Sequence, residues 1–357
     1  MFSYFCRTHV TMEILNSHLL KTIYSSKKEI ALFGKWIHYA HISPLLTKLS
    51  NQLNVSVIGH SESKVPIHAV KFGSGTKKIL IWTQMHGNES TGTKAVFDFF
   101  NCIPSSNDPI FKRILAECTI LCIPMLNPDG SLNYTRVNAK NVDLNRDAVD
   151  RKAVESKLLR GILEEFNPDY CFNLHDQRTI FGVEGTENPA TISFLAPSEE
   201  EKREITEGRK LTMNVIVAMN KFLQHVIPNH IGRYTDEFYP TATGDNFQKL
   251  GFNTILIEAG HFPNDYDREE VRKFNFYALL QGVYHIATAV NYQEYLSYFD
   301  IPNNQKNFFD IIETNKNSSK GKGYLYVDKV VDNTFITEKV LEKEGDLSGF
   351  MAHAKKS

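Results

Sequence analysis

Four short apolar segments dominate this sequence, and each stops at a cluster of polar, chemically capable residues. Lys78–Met85 (KILIWTQM) runs into His86-Gly-Asn-Glu89, and Cys118–Met125 into Asn127-Pro-Asp-Gly130. Asp169–Leu174 runs into His175-Asp-Gln-Arg178, and Thr254–Ile257 into Glu258-Ala-Gly-His261. Strands that are apolar throughout, rather than at every second position, need cover on both faces. Helical patterns at Thr93–Phe100, Lys152–Phe166, Glu199–Val226 and Val271–Tyr292 supply that cover. The expectation is an α/β fold, a mixed twisted sheet sandwiched between helices. In such a sheet the ligand crevice lies beyond the carboxyl ends of the strands, so the four polar clusters face one edge.

Charge excludes some partners. The chain carries 40 basic and 41 acidic residues, a net of −1, which argues against bulk attraction to nucleic acid or an anionic membrane. No apolar run approaches the roughly 20 residues of a membrane span. Arg7, His9 and Glu13 interrupt the N-terminal segment before a signal-like core can form. Residues 1–11 read as structureless, with Met12 an alternative start. Five cysteines, an odd number without paired CxxC motifs, read as reduced, mostly core thiols. The expected location is the cytoplasm. Residues 12–298 read as one catalytic domain. From 299 to 357, polar stretches separate short alternating segments such as Tyr324–Val327 and Thr334–Ile336, a small β appendage.

His86 and Glu89 are three residues apart, so a turn entering a helix brings both to one side. Alone, the pair reads first as a solvated loop. His175, at the end of another apolar strand, completes two imidazoles and one carboxylate, the set used by zinc hydrolases. Glu258 ends a further strand. Alone it is an ion-pair carboxylate; beside a metal it is a general base. Arg136 and Arg146 flank Val137–Asn145, and each guanidinium fork matches a carboxylate or an oxyanion.

Together these residues resemble a known family. His86-Gly-Asn-Glu89, Asn127-Pro-Asp-Gly130, Thr135-Arg136, Val142-Asp-Leu-Asn-Arg146, Asn173-Leu-His175 and Ile257-Glu258-Ala-Gly260 follow the order and approximate spacing of the M14 zinc carboxypeptidases. The resemblance spans roughly residues 55–290 and is nearer to bacterial intracellular-type members than to the digestive enzymes. It implies a zinc carboxypeptidase-like fold and one zinc ion per chain held by His86, Glu89 and His175. It implies Glu258 as general base and then acid, and Arg136 as the partner of the oxyanion. Asn145 and Arg146 would hold the free C-terminal carboxylate of a short peptide. Tyr239 is the match to the family's mobile tyrosine, with Tyr234 its rival.

Some positions depart from the pattern. Asp176 either orients His175 or holds a cationic part of the substrate. Asp245, in the specificity stretch Thr243–Asn246, would suit a basic side chain. The polar segments Gly182–Ala190 and Pro228–Thr243 read either as loops narrowing the crevice or as plain connections. The alternative activity is a zinc-dependent deacylase of N-acyl amino acids, of the aspartoacylase or succinylglutamate desuccinylase type. A third reading is a non-enzymatic relative that keeps the metal.

Overall fold

The computed structural model describes residues 12–104, 107–314 and 319–356. The expected structureless segment 1–11 lies outside the described residues. The strands in chain order are β1 (Asn54–His60), β2 (Pro66–Gly73), β3 (Lys77–Thr83), β4 (Cys118–Ile123), β5 (Tyr170–Asp176), β6 (Phe181–Val183) and β7 (Ile192–Leu195). They continue with β8 (Ile231–Arg233), β9 (Asn253–Ala259), β10 (Asn304–Lys306), β11 (Phe308–Thr314), β12 (Lys320–Val331), β13 (Thr334–Asp346) and β14 (Met351–Lys356). The helices are α1 (Ser17–Lys27), α2 (Tyr39–Leu49), α3 (Thr91–Cys102), α4 (Pro109–Glu117), α5 (Pro128–Asn133), α6 (Val154–Phe166), α7 (Glu207–Gln224), α8 (Thr243–Lys249) and α9 (Glu269–Thr288).

The expected α/β sandwich is present. One eight-stranded mixed sheet has the order β1-β2-β4-β3-β5-β9-β7-β8. Its centre, β4-β3-β5-β9, is parallel, while β1 and β2 on one flank and β7 against β9 on the other run antiparallel. Alternation along β3 shows why the central strands are apolar throughout. Ile79 and Ile81 pack into the core shared with α3, α7 and α9, whereas Leu80 and Trp82 pack into the core shared with α6 and Phe247 of α8. A strand buried on both faces has no side free for polar residues.

The N-terminal segment is fastened to the larger of these cores. Leu20, Tyr24, Ile42 and Leu46 are buried in it. The fully buried Arg272 of α9 donates to both Asp98 oxygens (2.6 and 2.8 Å) and to the carbonyls of Leu32 (2.6 Å) and Glu29 (2.8 Å). Glu269 binds Lys28 (2.8 Å) and the buried Lys94 (2.7 Å). Burial opposes ionisation of Glu269, yet these cations hold its carboxyl down at about 2.

One helix is shorter than its periodicity suggests. The expected span Glu199–Val226 becomes Glu207–Gln224. Upstream, the Glu200 carboxylate accepts from the backbone of Lys202 (2.8 Å) and Glu204 (3.1 Å), and Thr206 caps the helix by accepting from Arg209 (3.2 Å). Side chains that satisfy the backbone locally compete with helix. After a 3₁₀ stretch, Gln293–Asp300, the chain is β-rich. Strand β10 pairs with β6, and a separate sheet has the order β13-β12-β11-β14 around Phe309, Ile312, Leu325 and Leu347.

Candidate metal centre

The ends of the parallel neighbours β3, β5 and β9 lie along one edge of the sheet. At the end of β3 the chain turns sharply, with Gln84 in the left-handed region (φ 50°). Its side chain donates to the carbonyls of Ile37 (2.7 Å) and Gly87 (2.8 Å) and accepts from Thr93 (2.7 Å), bracing the turn from three sides. A Cβ at Gly87 would sit 2.0 Å from the carbonyl carbon of Gly130, so only glycine lets the two turns touch. Asn127 completes that contact, donating to the Met85 carbonyl (3.1 Å) and accepting from Gly130 N (2.8 Å). The Asn127-Pro-Asp-Gly130 motif is therefore scaffold for the turn that carries His86 and Glu89.

His86, Glu89 and His175 converge, all buried, with one ligand-type atom from each within 4.8 Å of the others. The two Glu89 oxygens lie 2.8 Å from His86 Nδ1 and 2.8 Å from His175 Nδ1, and the two Nδ1 atoms are 3.1 Å apart. Asp143 Oδ1 stands 3.1 Å from His86 Nε2. A carboxylate there accepts a proton-bearing Nε2, which leaves Nδ1 of a neutral ring with its lone pair aimed at Glu89. Lone pairs pointing at one spot beside a carboxylate suit a cation, and imidazole with carboxylate is a zinc donor set. Were His86 to ligate a metal, Asp143 is placed as the carboxylate that would orient it. Sequence reasoning passed over it, reading the surrounding Val142–Arg146 for its asparagine and arginine; the signal was a lone acid among ligand-capable residues.

The charges are coupled. Burial raises a carboxyl's pKa, but His86 and His175 hold Glu89 well below its usual range. Asp143 likewise goes down against its burial, through His86 and Arg136. Burial lowers His175, whereas Glu89 and Asp143 raise His86 despite burial. Glu258 lies opposite His175 in the β5–β9 register, one strand away and on the same face. Burial, with Glu89 and Asp176 nearby, pushes its proton affinity well above the usual carboxylate range, against Arg136 and Arg268. A carboxyl so placed holds a proton more tightly than a free carboxylate does.

The remaining expected residues divide into near and peripheral. Arg136 donates to Asp143 Oδ2 (2.9 Å) and its Nη1 is 3.5 Å from Glu89 Oε1, with nearly half the side chain exposed. Asn145 Oδ1 accepts from Thr243 N (2.9 Å), which fixes the orientation of its side-chain amide. Arg146 is exposed beside it, bonded to the Asn145 carbonyl (2.6 Å). Tyr239 is 51% exposed with its hydroxyl on Glu237 (3.1 Å). Tyr234 sits deeper, donating to Gln177 Oε1 (2.8 Å), and burial with the charges of Glu258 and Glu89 pushes its hydroxyl pKa up. Asp245 is buried and accepts from Tyr239 N (3.0 Å); burial pushes it up to about 6. It holds the tyrosine loop in place.

Asp176 takes neither expected role. Its Oδ2 accepts from Thr91 N (3.2 Å) and Thr91 Oγ1 (2.7 Å) at the start of α3, and Arg268 lies 3.5 Å away. Strand alternation explains this, because Asp176 points to the face opposite His175. Arg268, unremarked in the sequence, ties the ends of β5 and β9 together by donating to the carbonyls of Gln177 and Ala259, both at 2.7 Å.

Residues 38–182 match the zinc carboxypeptidase family, Peptidase M14. A probable carboxypeptidase 2 of Trichophyton verrucosum is 22% identical over 158 residues, 44% of this chain and 29% of the relative. The chain thus spans under a third of the length of that curated relative. The fold is similar to a metallo-carboxypeptidase of Burkholderia cenocepacia, with a TM-score of 0.57 and 18% identity over 70% of this chain and 69% of the other. It is also similar to a metallo-carboxypeptidase of Pseudomonas aeruginosa solved with (2-guanidinoethylmercapto)succinic acid, with a TM-score of 0.53 and 15% identity over 70% and 68%.

Proposed function

We propose that this chain, whose residues 38–182 are those of an M14 zinc carboxypeptidase, holds one zinc ion and removes the C-terminal residue of short peptides. The observation that carries the reading is the convergence of His86 Nδ1, His175 Nδ1 and both Glu89 oxygens, with Glu258 one strand away. Those three residues would hold the metal. Bound zinc supplies a Lewis acid for the scissile carbonyl and lowers the pKa of its water.

The chain's own residues do the rest. Glu258 accepts the proton of the attacking water and hands it to the leaving amine, which its raised proton affinity suits. Arg136 offers an exposed guanidinium fork beside Glu89, where oxyanion charge develops. The Asn145 amide and Arg146 guanidinium, adjacent in one 3₁₀ turn, take the terminal carboxylate. The ligand named for the Pseudomonas neighbour, a succinic acid, is compatible with such a carboxylate clamp. Tyr239, on its exposed loop, closes over the bound peptide.

Location in the cytoplasm accompanies this reading. Cys102, Cys118, Cys122 and Cys171 are buried free thiols. Among the described residues no helix is long and apolar enough to cross a membrane.

The test is product analysis of zinc-loaded protein given a peptide with a free C-terminus, its C-terminal amide, and an N-acetyl amino acid. Release of one residue from the free peptide alone is expected. Turnover confined to the N-acetyl amino acid would replace the reading with the deacylase, and zinc without turnover on any of them with a binding module.

A further inference from the structure

The two rims of the crevice belong to different layers of the fold. Asn145 and Arg146 follow Leu144, which is buried with Phe247 of α8 in the core on the α6 side of the sheet. The opposite rim is formed by the starts of α3 and α9. There Ser90 Oγ donates to the Lys35 carbonyl (2.6 Å), Asp176 caps α3, and Arg268 ties β5 to β9.

The C-terminal sheet docks on this second rim. Asp328 of β12 pairs with Lys35, both mostly buried. Asp310 of β11 accepts from the hydroxyls of Tyr266 and Thr179, both at 3.0 Å. The rings of Tyr266 and Tyr326 meet at 5.1 Å. At the tip of the β12–β13 hairpin, Phe335 packs edge-on against Tyr134 at 4.9 Å. Tyr134 stands two residues before Arg136. The sheet therefore touches the segments after His175, after Glu258 and before Arg136, and reaches the segment next to Glu89 through Lys35.

We propose that this sheet is the upstream wall of the substrate crevice, with Phe335 and Tyr134 limiting how much peptide can precede the cleaved bond. The inference rests on the carboxypeptidase reading. A peptide with its terminal carboxylate at Asn145 and Arg146, and its scissile bond at Glu258, runs upstream away from α8 and toward the α3–α9 rim. There it meets the aromatic pair. Both partners are held rigidly. Tyr134 is in the left-handed region (φ 54°) as the C-cap of α5, bonded back to the Gly130 and Ser131 carbonyls. The hairpin turn Asp332-Asn333 has positive φ at both residues (49° and 57°), the geometry of a tight two-residue hairpin. Such a wall selects short peptides and rejects the tails of folded proteins.

The test uses the full-length, zinc-loaded protein and peptides sharing one C-terminal dipeptide but lengthened upstream from two to eight residues. The native protein is expected to lose about tenfold or more in kcat/KM along that series, the order seen when a substrate cannot reach its reacting geometry. Phe335→Ala should recover most of that loss while leaving the shortest substrate nearly unchanged. Phe335→Trp should steepen the fall. Calorimetric binding of the same peptides to the Glu258→Gln protein gives a readout independent of turnover and should follow the same order. Length-independent rates in the native protein, or a series unmoved by both Phe335 variants, would overturn the wall. Absence of turnover on every peptide would overturn the carboxypeptidase reading and the wall with it.

Discussion

The metal centre and its rim are built by opposite strategies. His86, Glu89 and His175 are buried, their polar atoms engage one another, and two interlocked turns hold the backbone of His86 and Glu89 while β5 holds that of His175. Arg146 and Tyr239 are exposed and are held chiefly by their own neighbours in sequence. Buried, mutually bonded groups lose little freedom when they act, so the chemistry is preorganised. Exposed side chains on turns must be ordered by the substrate, which makes the rim the place where specificity is set and changed.

Removing a ligand should break the contrast most completely. His175→Ala is expected to abolish both bound zinc and activity, measured by metal analysis and peptide turnover; full zinc occupancy in that variant would take His175 out of the centre. Next comes the scaffold. Gly87→Ala forces a Cβ to 2.0 Å from the Gly130 carbonyl carbon. A clash of that kind costs about 1–3 kcal/mol, so thermal melting should fall and zinc affinity with it, although no ligand has changed. An unaltered melting point and affinity would mean the two turns are not interlocked.

The rim should respond more gently. The contact proposed for Arg146 with a substrate carboxylate is a charge-assisted hydrogen bond, expected to contribute about 1.5–3 kcal/mol, or roughly 10–150-fold. Arg146→Ala should erase a preference of that size for free over amidated peptides while zinc content stays constant. A preference unchanged by the substitution would assign carboxylate recognition elsewhere.

The last effect falls on stability alone and leaves the chemistry untouched. Glu269 is held down at about 2 by Lys94 and Lys28. Its unfolded value is near 4.3. Stability from this group is therefore fully present above pH 5 and is lost as pH falls toward 2. The loss is about 3 kcal/mol at most. Glu269→Gln should flatten the acid side of the stability curve without altering activity near neutrality. A curve of unchanged shape would show that Glu269 gains nothing from its cations.

The same contrast explains what the sequence made legible. Spacing put His86 and Glu89 on one turn and periodicity put His175 and Glu258 at strand ends; the family resemblance joined them, and the pairing of β5 with β9 is what sets the last two side by side. Asp143 was hidden because its partner, His86, is 57 residues away and the intervening loop has no period. Asp176 misled because adjacent strand residues face opposite ways, and which face the site uses depends on pairing with β9. The contact of Tyr134 with Phe335 joins the C-cap of α5 to a hairpin of the C-terminal sheet, set by long-range docking that no local pattern encodes. The family resemblance placed Arg136, Asn145 and Arg146 near the strand ends. It could not say that Arg146 would be solvent-exposed or that Tyr234 would lie deeper than Tyr239.

The central claim is that Glu258 performs the proton chemistry beside a metal it does not bind. Zinc stoichiometry and turnover measured together in Glu258→Gln test it most directly. One zinc per chain is expected, as in the native protein, with turnover lower by about 10²–10⁴ or more, the contribution of a positioned acid and base. Loss of zinc from that variant, or near-native turnover, would contradict it.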